Sequence, residues 1–241
     1  MSEWWDGIKA DFVLNFIKED RWMLLATGLG NTLKITFVAL IIGILLGSIV
    51  ATVRSTYDKN GADMSKRNKG GYVVLSIFNI ICKLYLTVIR GTPMVVQLLI
   101  MYFIIFASSK NGLMVAMIAF GINSGAYVAE IIRGGIMSID NGQFEAGRSL
   151  GFNYGQTMIY IIIPQVFKAV LPTLCNEFIV LLKETSVAGY IGIRDLTKGG
   201  DIIRAATYSP FMPLITVALI YLVMVVILSA LLGKLERRLR R

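Results

Sequence analysis

Long apolar runs, separated by polar segments, dominate the pattern of this chain. A run of about 20 apolar residues is long enough to cross a hydrocarbon core of roughly 30 Å. We therefore predict five membrane-spanning helices, over residues 28–53, 92–107, 113–132, 170–182 and 211–232. In the first of them Gly43 and Gly47 lie four residues apart, a spacing that permits close helix packing. The fold class predicted is an all-α integral membrane protein.

The polar segments have distinct characters. The N-terminal segment places Trp4, Trp5 and Phe12 at roughly helical spacing among acidic residues, which predicts an amphipathic arm at the membrane surface. Among the other connections, residues 54–71 are expected to form a hydrophilic loop and residues 72–90 a helix along the inner surface. Residues 133–156 are expected to form a polar loop, and residues 183–209 an irregular segment. The resulting domain plan is an arm, a transmembrane domain and a basic tail, over residues 1–21, 22–233 and 234–241.

Composition agrees with this pattern. Of the 241 residues, 56% are hydrophobic and only 16% are charged, whereas soluble domains have about 25% charged residues. The net charge of +9 would suggest nucleic acid as a partner of a soluble protein. Because the positive charge is sorted between the connecting segments, we expect a lipid membrane as the partner and no nucleic acid.

The distribution of basic residues predicts the orientation. Residues 1–27 carry three basic and five acidic residues, residues 54–90 carry seven basic and two acidic, and residues 233–241 carry five basic and one acidic. Cytoplasmic segments are enriched in Lys and Arg. We therefore expect the N-terminus outside and the C-terminus in the cytoplasm, together with the polar loop over residues 133–156.

The sequence lacks the residues that several other functions would require. The chain has no histidine, and its two cysteines, Cys82 and Cys175, are far apart in apolar surroundings, so no metal site is expected. No nucleophile elbow supports a membrane enzyme. No inverted repeat supports a secondary transporter or a stand-alone channel. No Gly-x-x-x-x-Gly-Lys-Ser/Thr loop is present to bind ATP.

One polar segment carries a recognisable spacing. It reads Glu145-Ala146-Gly147-Arg148-Ser149-Leu150-Gly151, and Ile161-Ile162-Ile163-Pro164 follows. Residues 143–150 are predicted to form a short helix, with Glu145 near its N-terminus, where an acidic side chain is favoured. Gly151 is placed to end this helix, and Pro164 to start or kink the next segment.

This spacing resembles the docking loop of binding-protein-dependent ABC importer permeases. Their pattern is Glu-Ala-Ala, three residues, Gly, nine residues and Ile-x-Leu-Pro. The chain matches it at Glu145, Ala146, Gly151, Ile161 and Pro164. It departs at Gly147, where Ala is usual, and at Ile163, where Leu is usual.

Three more motifs narrow the resemblance to the polar amino-acid permeases of this family. The motifs are Arg90-Gly91-Thr92-Pro93, Ala126-Tyr127-Val128-Ala129-Glu130 and Leu181-Leu182-Lys183-Glu184-Thr185-Ser186. The resemblance covers residues 28–232 and implies the type I ABC importer permease fold. The segment over residues 57–71 is longer than the family leads us to expect.

The resemblance also implies partners and a location. Such permeases lie in the cytoplasmic membrane of a prokaryote as multi-pass proteins, and pair with a second copy or a close paralogue. An extracytoplasmic binding protein delivers the amino acid. The chain itself binds no cofactor, because ATP is used by separate ATPase subunits. These subunits would dock at Glu145, Ala146, Gly147, Leu150, Gly151, Ile161 and Pro164.

Polar residues in the spans are candidates for the substrate path, since a charge at the centre of a membrane helix costs about 2.5–3.5 kcal/mol. Glu177 or Glu184 could accept the ammonium of an amino acid, and Thr185 and Ser186 could hold its carboxylate. The further candidates are Asn176, Lys183 and Tyr127. Alternatively, Lys183 and Glu184 extend to the headgroups.

The sequence leaves the substrate itself open. Glutamine, glutamate, arginine, histidine and cystine all remain possible substrates, since one half of a translocation path says little about the cavity that holds the substrate.

Near the end of the third span, an ion pair between Glu130 and Arg133 is expected, because the two residues are three apart on a helix.

Overall fold

The computed structural model describes residues 2–239, without the side chains of Ser2, Glu3 and Leu239. Every regular element in this range is helical. The α-helices, named in chain order, are α1 Ser2–Phe12, α2 Trp22–Arg67, α3 Lys69–Gly91, α4 Met94–Ile100, α5 Gly112–Ser138, α6 Asn141–Ser149, α7 Tyr154–Thr157, α8 Ile163–Glu184, α9 Leu196–Thr207 and α10 Phe211–Leu239. The predicted basic tail continues α10, and Arg240 and Arg241 lie outside the described residues.

Five helical segments in the described part are long and apolar enough to cross a membrane, which confirms the expected number. They are Trp22–Arg67, Lys69–Gly91, Gly112–Ser138, Tyr154–Ile191 and Phe211–Arg238. The second differs from the prediction, because the segment over 92–107 holds only the shorter apolar helix Met94–Ile105. Residues 72–90, predicted to form a helix along the inner surface, belong instead to the apolar helix α3, although they include Lys83 and Arg90. In α3 they lie on one face with Thr87, which leaves the other faces apolar.

The predicted loop over residues 54–71 is wrong, because α2 continues through it for a total of 46 residues. Residues 54–67 contain no proline and only one glycine, Gly61, so nothing in them breaks a helix. The turn comes at Asn68, whose side chain accepts a hydrogen bond from the Gly71 amide and caps α3. Tyr57 and Tyr72 then stack with ring centroids 6.1 Å apart.

The segment over residues 183–209 is also more regular than expected. A 3₁₀ segment, Thr185–Ile191, ends at Gly192 with a φ of 77°. The helix α9 follows, and its N-cap Asp195 accepts hydrogen bonds from the Thr197 and Lys198 amides. The fourth span is longer than the predicted residues 170–182, since α8 begins at Ile163.

The chain divides into two compact units. Unit 1 holds the residues up to Ala39, Met94–Phe120 and Ile179–Ala230. Its core consists of Phe16, Leu25, Leu196, Ile203 and Val217. The N-terminal arm joins this unit through Asn15, whose amide nitrogen lies 3.2 Å from the Ser209 hydroxyl and whose amide oxygen accepts from Thr207 at 2.7 Å. The arm is helical as predicted and exposes Trp4 and Trp5.

Unit 2 holds Leu40–Pro93, Gly121–Phe178 and the residues from Leu231 onward. One core cluster joins α2, α3 and α5 through Val50, Cys82, Leu86, Ala126 and Ala129. The other joins α5, α6 and α8 through Ile136, Phe144, Met158, Ile162, Val166 and Val170. Close packing at Gly43 and Gly47 is confirmed, since a Cβ on them would lie 2.9 Å from Ser124 and 2.6 Å from Val128.

Candidate coupling site

The motif-bearing segment forms the short helix α6 in unit 2. Asp140 is its N-cap, and the Asp140 carboxylate accepts a hydrogen bond from the Gly142 amide at 2.6 Å. The helix therefore begins two residues earlier than predicted, and Glu145 is its fifth residue. Because the helix dipole acts mainly on the first turn, the prediction that the N-terminus favours the Glu145 charge is wrong.

The end of α6 confirms the prediction for Gly151. Its φ is 80°, in the left-handed region that glycine adopts without strain. The Gly151 amide donates to the Arg148 carbonyl at 2.9 Å, and the Phe152 amide donates to the Gly147 carbonyl at 3.0 Å. These two bonds form a Schellman motif, which ends the helix sharply and satisfies two of its last carbonyls.

Gly147, where the family pattern usually has Ala, faces the inside of the unit. A Cβ built there would lie 2.6 Å from the Thr157 hydroxyl oxygen and 2.7 Å from its methyl carbon. The Thr157 hydroxyl is buried without a hydrogen-bond partner. The Thr157 side chain therefore occupies the space that the methyl group of the usual alanine would fill at position 147.

The two sides of α6 differ in burial. Phe144 and Gly147 are buried, and Phe144 belongs to the core cluster with Ile162. Glu145 and Ala146 are exposed, and Leu150 is 70% exposed. Glu145 makes no ion pair with any residue in the described range. A firmly packed helix thus presents a carboxylate and an apolar side chain to its surroundings.

The other motif residues lie after α7. A π-helical turn, Met158–Ile162, precedes α8, and Ile161 packs against the cluster that holds Phe144. Pro164 is the second residue of α8. Since proline donates no backbone hydrogen bond and crowds the preceding turn, the wider turn at this point has a local cause. Pro164 thus lies at the start of the next helix, one of the two positions predicted for it.

Contacts from the C-terminal part of α2 hold α6, and sequence reasoning missed them. The Lys59 ammonium donates to the Asn141 side-chain oxygen at 2.7 Å and lies 5.1 Å from the centre of the Phe144 ring. Asp63 lies 3.5 Å from Arg148. The available signal was the spacing of Lys59 and Asp63, which places both on one face of a helix once residues 54–67 are read as helical.

The ion pair between Glu130 and Arg133 is confirmed at 3.5 Å. The structure adds two partners from other helices. Arg90 lies 3.7 Å from Glu130, and Asp58 lies 3.0 Å from Arg133. Two of the family motifs, one at Arg90 and one at Glu130, are therefore in direct contact.

Three of the path candidates belong to unit 2. Glu177 is only 8% exposed, and its carboxylate accepts a hydrogen bond from the Ser124 hydroxyl at 3.2 Å. Asn176, its neighbour in the chain, is exposed. Tyr127 is half-exposed, and its ring centre lies 5.9 Å from the Arg90 guanidinium. Glu177 differs from the other two candidates because it is acidic and buried, and it lies in an apolar helix.

The remaining path candidates belong to unit 1. Lys183 is exposed and Glu184 half-buried. Thr185 is buried and donates its hydroxyl hydrogen to the Leu182 carbonyl at 2.7 Å, so it is less able to hold a carboxylate than expected. Ser186 lines a pocket of about 350 Å³.

This pocket adds two charged residues that the sequence did not single out, Lys198 and Asp201. They lie 2.9 Å apart. Hydrogen bonds from Lys198 and from Arg204 lower the pKa of the Asp201 carboxyl, so Asp201 stays ionised at neutral pH.

Solved structures define the class of this fold. The chain superposes on a solved amino acid ABC transporter with histidines at a TM-score of 0.78 and 41% sequence identity, covering 92% of this chain and 98% of that one. It also matches the MetNI methionine ABC transporter in an inward-facing conformation, with a TM-score of 0.72 and 19% identity over 91% of this chain and 98% of that one. The second likeness shows the fold alone. The class is a multi-pass membrane subunit of an ABC transporter.

The chain belongs to the family described as binding-protein-dependent transport system inner membrane component, whose model matches residues 43–241. It is 38% identical over 217 residues to the arginine transport system permease protein ArtQ of Bacillus subtilis (strain 168), covering 88% of this chain and 91% of the relative. It is 34% identical over 222 residues to the glutamine transport system permease protein GlnP of Escherichia coli (strain K12), covering 90% and 93%. The L-cystine transport system permease protein TcyB of Bacillus subtilis (strain 168) is 33% identical over 230 residues, covering 94% and 91%. The chain is accordingly a transport subunit and not an enzyme.

Proposed function

We propose that this chain forms one half of the translocation path of an ATP-driven importer for polar amino acids, in the cytoplasmic membrane of a prokaryote. The observation that carries the proposal is the exposed face of α6. Glu145 and Leu150 are exposed on a helix that is buried on its other side and ended by Gly151. Arginine, glutamine and cystine in the names of the relatives support the substrate class.

In this proposal α6 docks on a separate ATPase subunit. A docking element must transmit motion, so it has to be held firmly by its own chain and yet leave a face for the partner. The buried Phe144 supplies the anchor. Glu145, which lacks an ion-pair partner in the described chain, is free to meet a basic side chain of the ATPase. ATP is then bound and hydrolysed by the partner, and this chain holds no cofactor.

A second permease, identical or closely related, completes the path in this proposal, and an extracytoplasmic binding protein delivers the amino acid. The N-terminus lies outside and the C-terminus in the cytoplasm, so that α6 faces the compartment that contains ATP. Glu177 supports a path through the spans, since a buried acid in a membrane helix is costly and marks functional sites. Its carboxylate would accept a positively charged group of the substrate, either the ammonium or a cationic side chain.

Reconstitution tests the proposal. The permease is incorporated into vesicles with its candidate ATPase and binding protein, and uptake of labelled glutamine, glutamate, arginine, histidine and cystine is measured with and without ATP. We expect uptake of at least one of them that requires ATP, the ATPase and the binding protein. Uptake that persists without any ATPase would refute the importer function.

A variant at the end of α6 tests the docking role separately. Gly151→Pro removes the hydrogen bond to Arg148 and cannot adopt a φ of 80°, so α6 loses its end geometry. We expect normal insertion into the membrane but little transport coupled to ATP hydrolysis. The exposed Gly155, which lies in α7 and has φ in the ordinary range, provides a control as Gly155→Ala. Normal transport by Gly151→Pro would show that α6 does not dock as proposed.

A further inference from the structure

A pocket of about 370 Å³ lies in unit 2 among α2, α3 and α5, and its described lining contains none of the candidate coupling or path residues. Its charged lining consists of three basic residues, Arg54, Lys83 and Arg90, and one acidic residue, Glu130. Arg54 comes from α2, whereas Lys83 and Arg90 come from α3, the next helix in the chain. Three positive charges and one negative charge leave the lining with an excess of two positive charges.

The one carboxylate is already engaged. Glu130 lies 3.7 Å from Arg90 and 3.5 Å from Arg133, so its charge is shared by two guanidinium groups. Arg54 donates to the neutral side chain of Asn79 at 2.8 Å, and its Nε is buried without a hydrogen-bond partner. Lys83 makes no ion pair with a residue in the described range. Within the described residues, the Arg54 Nε therefore has no acceptor and Lys83 has no acidic partner.

The pocket lies where an apolar stretch of chain ends. Residues 35–53 of α2 contain no charged residue, and Arg54 is the first one after them. Basic residues at such a boundary meet lipid headgroups. On α3, next to Lys83, the side chains of Ile80, Leu84 and Val88 are 63%, 64% and 49% exposed. Because they follow one another at four-residue spacing, they form one apolar ridge along the helix.

We propose that this pocket binds the phosphodiester group of an anionic phospholipid. Arg54, Lys83 and Arg90 hold the phosphate oxygens through charge-assisted hydrogen bonds, and the ridge of Ile80, Leu84 and Val88 packs against an acyl chain. Basic pockets between transmembrane helices bind anionic headgroups in this way. An amino acid suits the pocket less well, since its ammonium needs an acceptor and Glu130 is occupied by two arginines.

Native mass spectrometry of the full permease, purified with its ATPase, tests the proposal. Phosphatidylglycerol and phosphatidylcholine with the same acyl chains serve as probes. We expect adducts of phosphatidylglycerol at several-fold lower lipid concentration than adducts of phosphatidylcholine. Lys83→Gln should weaken the phosphatidylglycerol adduct about fivefold, and Lys83→Arg should retain it. Lys168→Gln, which changes an exposed lysine of unit 2 outside the pocket, should bind like the unchanged protein.

The outcomes that contradict the proposal are distinct. Equal binding of the two lipids, or an unchanged phosphatidylglycerol adduct in both Lys83→Gln and Arg54→Gln, would refute an anionic site in this pocket. Displacement of the lipid by inorganic phosphate at millimolar concentration would assign the pocket to free phosphate. Displacement by an amino acid would assign it to the transport path. Because Lys83 is exposed, its variant does not depend on refolding of a core, and none of these measurements requires transport.

Discussion

Asp63, near the C-terminal end of α2, lies 3.5 Å from the guanidinium group of Arg148 on α6. One turn earlier on α2, Lys59 donates to Asn141 at the start of α6. The segment over residues 57–71 had no role in the resemblance, and the structure gives it one. Its residues up to Arg67 form the helical extension of α2 that contacts both ends of the candidate docking helix.

We expect the double variant Lys59→Met, Asp63→Asn to loosen α6 without unfolding the protein. Both Asp63 and Arg148 are largely exposed, at 62% and 60%, and such pairs contribute only about 0.2–1 kcal/mol to stability. The melting temperature should therefore change little, while the number of ATP molecules hydrolysed for each amino acid imported should rise. Lys66→Met, on the same extension, is the matched control, because Lys66 makes no hydrogen bond or ion pair with α6 among the described residues. An unchanged ratio of hydrolysis to transport in the double variant would show that the extension does not position α6.

The close contact between Gly147 and Thr157 can be tested with a second substitution that restores the stability lost in the first. Gly147→Ala should destabilise the packing of α6 by about 1–3 kcal/mol, because the new methyl group meets the Thr157 side chain at 2.6 Å. Thr157→Ala removes both of the atoms that approach most closely, and its hydroxyl has no partner to lose. The double variant should recover most of the stability, measured by thermal unfolding in detergent. If Gly147→Ala alone is as stable as the unchanged protein, the close contact with Thr157 does not constrain this site.

Two glycines of α2 provide a matched pair in unit 1. A Cβ on Gly28 would lie 2.6 Å from the Asp195 carbonyl oxygen and 2.9 Å from the Leu196 Cα, both backbone atoms. Gly28→Ala should therefore lower the yield of folded protein sharply, since backbone cannot turn aside as a side chain can. A Cβ on Gly30 would have open space around it. Gly30→Ala should therefore be neutral or stabilising by up to about 1 kcal/mol. Size-exclusion profiles and melting temperatures would compare the two, and equal behaviour would contradict the close approach.

Glu177 offers a test of the substrate path. Glu177→Gln keeps the hydrogen-bonding shape toward Ser124, which lies 3.2 Å away, but removes the negative charge. If the carboxylate meets the side chain of a cationic amino acid, uptake of arginine should fall at least tenfold more than uptake of glutamine. Competition between the two labelled amino acids in reconstituted vesicles measures this ratio. Equal losses for both substrates would remove Glu177 from direct recognition of the cation.

Prediction from the sequence succeeded where the signal was local. The end of α6 at Gly151 follows from one residue that adopts positive φ, and the ion pair of Glu130 with Arg133 follows from helical spacing. It failed where polar composition suggested a loop. Residues 54–67 are hydrophilic, yet α2 runs through them, because a helix is compatible with polar residues when one of its faces has partners. In the same way Lys83 and Arg90 gather on one face of α3.

The sequence by itself determined the number of apolar segments, the family and the position of the candidate docking helix, because each depends on order and spacing along the chain. Only the tertiary structure decided what surrounds that helix. Lys59 and Asn141 are 82 residues apart in the chain, and Thr157 fills the space that Gly147 leaves. Such contacts depend on how helices pack, and a packing partner leaves no periodic trace in either segment. The same reason hid the pocket of Arg54, Lys83 and Arg90, whose charges come together only when α2 and α3 lie side by side.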